Sequence, residues 1–428
     1  MSGESCTTAR RGRGGAGSPH IHDEPPTVDS VVHRRSMRVL AAIAASGLLL
    51  SGCARFDDSA ADADFQPAPQ LTPQRPPQPE LPEAPGSPEI PQGQGGRGTG
   101  QRDGEIPPPE GCTDHDPAVI GTCMDTLVAV AALPPVHGQP AALAAERDTG
   151  RVLRVVKGRK PAPFATLTVA AEGDGGLTGL ALSPSYQEDG LVFAYITTST
   201  DNRVVRFAAG QKPRPILTGI PKGARGNRGA LAVDASGALL VATGDAGDPK
   251  AARNPDSLAG KVLRIDTSGK PAAGNPRTGS RVIASGLHTP GGVCASGDGS
   301  QVWVTDRAPE ADAIHLVDPG KPLGTPVWRW KDKPGVAGCA VATEGVVVAM
   351  STDPGLHGLE IDANGTATGK PSVTFDGDSG YGRLSGLDVY TAGLAVAGTV
   401  NKDGGKPVSS DDRVVLLPLN PSGGNDKD

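Results

Sequence analysis

The residues with the plainest chemistry in this chain are its six cysteines. Cys53 follows Leu50-Ser51-Gly52 and closes an apolar run over 39–50, which a basic patch, His33-Arg34-Arg35-Ser36-Met37-Arg38, precedes. A charged region, a short apolar stretch and small residues make an export signal, and the run is too short for a permanent membrane span. The ending resembles the bacterial lipobox, whose cysteine sulfur takes a diacylglyceryl thioether and whose cysteine becomes the new N-terminus. An ordinary cleaved signal with an incidental cysteine is the plainer alternative, and Arg34-Arg35 allows a twin-arginine signal whose flanks fit poorly. Several acyl chains anchor stably where one is marginal. Export exposes thiols to oxidising surroundings, so Cys112, Cys123, Cys294 and Cys339 are expected in disulfides. Cys112 and Cys123 close a short loop and form the natural local pair, which leaves Cys294 with Cys339, one of the three connectivities that four cysteines admit. Cys6 lies ahead of Met37, where translation is expected to begin. No C-x-x-C and no zinc-spaced histidines occur, so a structural zinc site is not expected. Asp376-Gly377-Asp378-Ser379-Gly380 opens like an EF-hand loop but lacks the terminal glutamate, and reads as a turn.

The elements that must carry these residues follow from composition. Gly (60) and Pro (41) are abundant, aromatics make up 3%, and the net charge is −6. That balance excludes a strongly basic nucleic-acid binder. Glycine and proline concentrate in 54–111, in text such as Pro73-Gln74-Arg75-Pro76-Pro77-Gln78-Pro79, where no apolar periodicity exists and no core can form. This stretch reads as a disordered tether that carries the folded domain clear of the membrane, with a proline-recognition ligand as the sharper alternative. Beyond it, short apolar strands recur between Gly/Asp turns such as Asp234-Ala235-Ser236-Gly237 and Asp362-Ala363-Asn364-Gly365. Second strands are predicted at 141–145, 191–196, 239–243, 301–305, 345–350 and 393–398. Third strands are predicted at 151–156, 203–207, 261–265, 313–317, 358–361 and 412–417, with irregular fourth strands at 214–217, 281–284 and 373–375. Helical patterning is almost absent. Six units over 127–421 come to about 49 residues each, the length of a propeller blade. The predicted fold is all-β, a six-bladed β-propeller over 112–421. An extension (1–36, untranslated or disordered), the lipoprotein signal (37–53) and the tether (54–111) precede it, and a disordered tail (422–428) follows. A tandem of β-sandwiches would space its strands less regularly.

Several stretches then point to a family. Gly175-Gly176-Leu177-Thr178-Gly179-Leu180-Ala181-Leu182-Ser183-Pro184 resembles a first-strand motif of the glucose/sorbosone dehydrogenase family of six-bladed propellers. Ala242-Thr243-Gly244-Asp245-Ala246-Gly247-Asp248, continuing to Ser257-Leu258-Ala259-Gly260-Lys261-Val262-Leu263-Arg264-Ile265, is similar to its most specific stretch. Gly286-Leu287-His288-Thr289-Pro290-Gly291-Gly292-Val293, Val304-Thr305-Asp306-Arg307-Ala308-Pro309 and Gly382-Arg383-Leu384 extend the match. With the lipobox and tether, the layout is similar to that of an envelope lipoprotein.

The resemblance implies a site at the mouth of the central tunnel. Active members bind pyrroloquinoline quinone (PQQ) and calcium there. A histidine takes the proton of the sugar's anomeric hydroxyl while a hydride passes to the quinone, and lysine and arginines neutralise the cofactor's carboxylates. Carried over residue by residue, the pattern thins. The family's H-x-G-G-R-L falls on Gly226-Asn227-Arg228-Gly229-Ala230-Leu231, so Gly226 stands at the base position, Ala230 at the arginine, and Arg228 is expected as a solvated loop residue. His288 replaces an arginine and is a weak replacement base, expected to bond to backbone. Arg383 persists where Ser385 replaces a second arginine, and the family's lysine aligns near Gly355. Arg383, His288 and Asp174 remain as cofactor-binding candidates. Pro309 and Asp312 are the calcium candidates, with Ala313 in place of a further acidic residue. Asp245 is expected to tie a loop together. Two readings result. One is a lipid-anchored propeller on the outer face of the cell membrane that has a degenerate site and binds an envelope sugar, peptide or protein. The other is a PQQ- and calcium-dependent aldose dehydrogenase.

Overall fold

The computed structural model describes residues 106–377 and 380–419. The extension, the lipobox with Cys53, residues 54–105 of the tether and the tail 422–428 lie outside the described residues, as do Asp378 and Ser379 of the 376–380 turn. Among the described residues, twenty-four strands form six four-stranded antiparallel sheets, and the only helices are two single-turn ones, Tyr186–Asp189 and Pro249–Arg253. The blades occupy 127–166, 177–220, 229–285, 290–330, 336–374 and 384–418. The predicted second strands appear as Gln139–Glu146, Val192–Thr197, Leu239–Thr243, Val302–Arg307, Gly345–Met350 and Leu394–Thr399. Each is buried nearly throughout, because neighbouring blades cover both faces of every sheet. A strand covered on both faces needs a continuous apolar run rather than an alternating one.

The core is divided accordingly. Among the described residues, six apolar clusters each lie between one pair of adjacent blades, from the one holding Leu143 and Ile196 between blades 1 and 2 round to the one holding Val130 and Val396 between blades 6 and 1. No blade has a core of its own, so the ring must close to bury its surface. Closure uses a strand the sequence pattern did not reveal. Val119–Gly121 supplies the outer strand of blade 6 and pairs antiparallel with Val414–Pro418. Cys112–Cys123 brackets that clasp, and Cys294–Cys339 joins the innermost strands of blades 4 and 5, so both expected disulfides are formed.

The inner strands, Leu127–Val136, Leu177–Leu182, Gly229–Val233, Pro290–Ala295, Val336–Ala342 and Leu384–Thr391, surround the axis. They approach so closely that a Cβ on Gly386 would lie 2.6 Å from the Val130 nitrogen. The cavity between them is about 40 Å³, lined by residues such as Thr178, Leu231, Val293 and Cys339. Room for a water or so is all this allows. Anything larger is kept to the mouth, where the loops entering the inner strands meet those linking second to third strands.

Candidate functional site

The mouth begins with the loop entering blade 3. Asp174, ahead of blade 2, accepts backbone hydrogen bonds from Gly226 (2.9 Å) and Asn227 (3.1 Å) and a third from Asn227 Nδ2 (3.2 Å). Asn227 is fully buried, and its amide exchanges hydrogen bonds with the backbone of Gly223. Asp174, read as a cofactor ligand, is therefore committed to holding this loop. The loop so pinned gives Gly226 a φ of +70°, and a Cβ there would lie 2.6 Å from Asp245 Oδ1 and 2.8 Å from the Gly247 nitrogen. A side chain at Gly226 would thus require Asp245 or the Gly247 backbone to shift. Asp245 is 5% exposed, its Oδ1 accepts from Gly247 N (2.7 Å), and burial raises its pKa.

Next to Asp245 stands His288, whose carbonyl accepts the Asp245 N–H (2.8 Å). Its ring does not bond to backbone as expected. Nδ1 lies 3.0 Å from Asp306 Oδ2, and the same carboxylate accepts the N–H groups of His288 and Thr289. Asp306, at 2% exposure, is paired in register with Pro290 across the first two strands of blade 4, and this places it under the loop that carries His288. The hydrogen bond to Asp306 raises the His288 pKa against the opposing effect of burial, helped by the charges of Asp306 and Asp245. Among the described residues Nε2 has no partner. A carboxylate on Nδ1 with Nε2 free is the arrangement of an oriented general base. The Asp306 partnership was not read from the sequence, although Asp306 lies in one of the family-like stretches; the strand register that makes it a partner is a tertiary fact.

Four arginines stand at strand ends or loops of the same kind. Arg228 precedes the inner strand of blade 3, Arg147 follows the second strand of blade 1, Arg307 ends the second strand of blade 4 and Arg383 precedes the inner strand of blade 6. Arg307 rests on the carbonyls of Val336 and Gly335 and on Ser351 Oγ. Arg383 sits at the rim and donates to Asp403 O (2.9 Å). Ser385 is buried in the inner strand and its hydroxyl donates to Leu127 O. Arg228 is not the solvated loop residue expected. It is half-buried, and burial with repulsion from Arg307 and Arg147 pushes its pKa down to about 9, while Asp174 and Asp403 oppose the shift. These arginines come from loops and strand ends of blades 1, 3, 4 and 6, which are far apart in sequence.

The calcium candidates do not fit a metal. Asp312 is 1% exposed, and its Oδ2 accepts from Gly335 N (2.6 Å) and Val336 N (3.1 Å). The Pro309 carbonyl accepts from the Lys333 ammonium (3.1 Å). Calcium needs six to eight oxygens, and among the described residues no three His, Cys, Asp or Glu side chains gather to hold a metal. Gly355, at the family's lysine position, has φ +106° and hydrogen-bonds to Gly382 O.

Comparison with known proteins follows the same lines. The family described as Glucose / Sorbosone dehydrogenase matches residues 128–345. The chain is 26% identical over 218 residues to aldose sugar dehydrogenase YliI of Escherichia coli (strain K12), covering 40% of this chain and 59% of that protein. Among solved structures, the PQQ-bound aldose sugar dehydrogenase of Streptomyces coelicolor superposes with a TM-score of 0.65 at 28% identity, over 71% of this chain and 96% of that one. A Thermus thermophilus protein provisionally described as an oxidoreductase (glucose dehydrogenase) gives 0.63 at 28%, over 70% and 98%.

Proposed function

The chain belongs to the glucose/sorbosone dehydrogenase family, and from that footing we propose that it is a lipid-anchored propeller on the outer face of the cell membrane whose mouth binds an envelope ligand without the family's oxidation chemistry. The observation that carries this is Gly226, where backbone conformation and the Asp245 carboxylate disfavour a base. The commitment of Asp312 and Pro309 to protein partners supports it, since each would have to give up a hydrogen bond to hold a Lewis acid. Anchoring through Cys53 rests on the lipobox. The test supplies the full-length chain with PQQ and calcium and follows dye reduction with a panel of aldoses. No turnover above the PQQ-free control is expected.

One observation favours the second reading, a PQQ-dependent aldose dehydrogenase. His288 and Asp306 form an oriented imidazole–carboxylate pair beside the vacated base position. PQQ, when bound, would supply the hydride acceptor, and its carboxylates suit a mouth lined by Arg228, Arg307 and Arg383. In this reading His288 Nε2 takes the sugar's proton and Asp306 holds the ring in place. Turnover with any aldose that His288→Asn abolishes would establish it and overturn the first.

A further inference from the structure

Trp330 ends the outer strand of blade 4, and His357 lies at the start of the third strand of blade 5. A hydrogen bond of 2.9 Å from the indole Nε1 to the imidazole Nδ1 joins them, and the rings meet edge to face with centroids 5.9 Å apart. An indole nitrogen only donates, so His357 Nδ1 is the bare acceptor and the ring is neutral while the bond lasts. His357 stands beside its register partner Val348, which shares an apolar cluster with Trp330.

The bond sits at the roots of two loops. Residues 331–335 follow Trp330 and lead into the inner strand of blade 5, and 351–355 lead into the strand of His357. Ser351 N donates to Gly335 O (2.9 Å) and Thr352 N to Pro334 O (2.9 Å), so the loops are zipped together. The zipped pair holds Arg307, at the mouth-side end of its strand, which donates to Val336 O (2.8 Å), Gly335 O (3.3 Å) and Ser351 Oγ (2.7 Å). A proton added at His357 Nδ1 would set two N–H donors against each other and leave a cation on an apolar interface, which is unfavourable. The carboxylates whose charges reach His357 are Asp332, Asp353 and Asp376, all exposed, while its register partners Val348 and Val373 carry no charge. The imidazolium is thus drawn outward, away from Trp330. Cys294–Cys339 ties the inner strands of the same two blades, so the joint gives at its outer edge.

We propose that the Trp330–His357 hydrogen bond is an acid-released pin: protonation of His357 breaks it, parts the roots of the two blade 5 loops and slackens their hold on Arg307. This concerns how the mouth is held, and is independent of what binds there and of whether it is oxidised.

The experiment follows isotope-labelled indole, imidazole and guanidinium groups of the full-length chain in detergent by NMR, from about pH 7 to about pH 5. Acidification is expected to move the His357 and Trp330 signals together, with a midpoint below the ordinary histidine value, because burial lowers the His357 pKa. In the same step the Arg307 Nε–H is expected to lose protection from exchange about fivefold, the worth of one hydrogen bond. The stability this contact carries is full above the ordinary histidine pKa and is lost as pH falls through the lowered one, opposite to His288. His357→Asn keeps an acceptor near the place of Nδ1 but does not titrate. In that variant the Trp330 and Arg307 signals are expected to hold still, and the melting temperature to fall less with acid than in the wild type. Trp330→Phe keeps a ring without a donor, and is expected to raise the His357 midpoint and to leave Arg307 exchange at its acid level throughout. A Trp330 signal that ignores pH, or that moves equally in His357→Asn, would overturn the pin. Arg307 exchange indifferent to the step would overturn its coupling to the mouth. No ligand enters the measurement, so its outcome and that of the dye-reduction test are separate.

Discussion

At the scale of single residues, the mouth is decided by backbone conformation as much as by side-chain identity. A left-handed φ costs a non-glycine residue about 1–2 kcal/mol, and the Asp245 contact adds an overpacking cost of about 1–3 kcal/mol. Gly226→His is therefore expected to lower stability by about 2 kcal/mol or more and to confer no sugar oxidation, checked by denaturant melts and dye reduction. The His288–Asp306 pair has the opposite character, a built arrangement with a defined titration. Its partner raises the His288 pKa above the ordinary histidine value. The folded state therefore holds this proton more tightly than the unfolded chain, so the pair's contribution to stability is full below the ordinary histidine pKa and is lost as pH rises through the raised one. Asp306→Asn keeps an acceptor for the two backbone N–H groups but removes the charge. The His288 titration midpoint, followed by NMR, is expected to move toward acid in that variant.

At the scale of elements, the propeller relies on joints between blades. Cys294–Cys339 is such a joint, since it ties inner strands of blades 4 and 5 whose side chains share one apolar cluster. It closes a 45-residue separation, against 11 for Cys112–Cys123. On the loop-entropy account these are worth about 4 and about 3 kcal/mol. Paired Cys→Ser replacement at 294 and 339 is expected to cost more stability than at 112 and 123, measured by urea melts. The same joint borders the tunnel through Cys339, so its loss is also expected to loosen the packing of the inner strands.

At the scale of the whole molecule, closure is the controlling event. Each cluster needs two blades, and the last interface needs both chain ends of the propeller. The clasp strand is held by more than its ladder. Asp116 accepts from Tyr381 Oη (2.8 Å), Asp114 accepts from Ser410 Oγ (2.7 Å) and pairs with Arg413 (3.3 Å), and Cys123 N donates to Ser410 O (2.8 Å). Contacts with blade 6 already begin at Pro109, whose carbonyl accepts from Ser409 Oγ (2.7 Å). Deleting residues 106–123 would bare the outer edge of blade 6 and the Ile120 and Met124 side of the blade 6–1 interface. Such a variant is expected to aggregate or to lose cooperative melting, seen by scattering and calorimetry, while a deletion confined to 54–105 leaves the melt unchanged.

The sequence alone was sufficient for the blade count, for nearly every second and third strand and for the disulfide partners. These are local facts: apolar runs between glycine turns, and a short cysteine loop whose closure leaves one pair over, among the three connectivities possible. The sequence did not reveal the three-residue clasp, because Val119–Gly121 is too short to show a period and has meaning only beside Val414–Pro418. Nor did it show that Asp174 is spent on a loop, or that Asp306 stands behind His288. Those residues come from different blades or from opposite strands of one. A closed ring sets their distances by geometry around an axis, which separation along the chain does not encode.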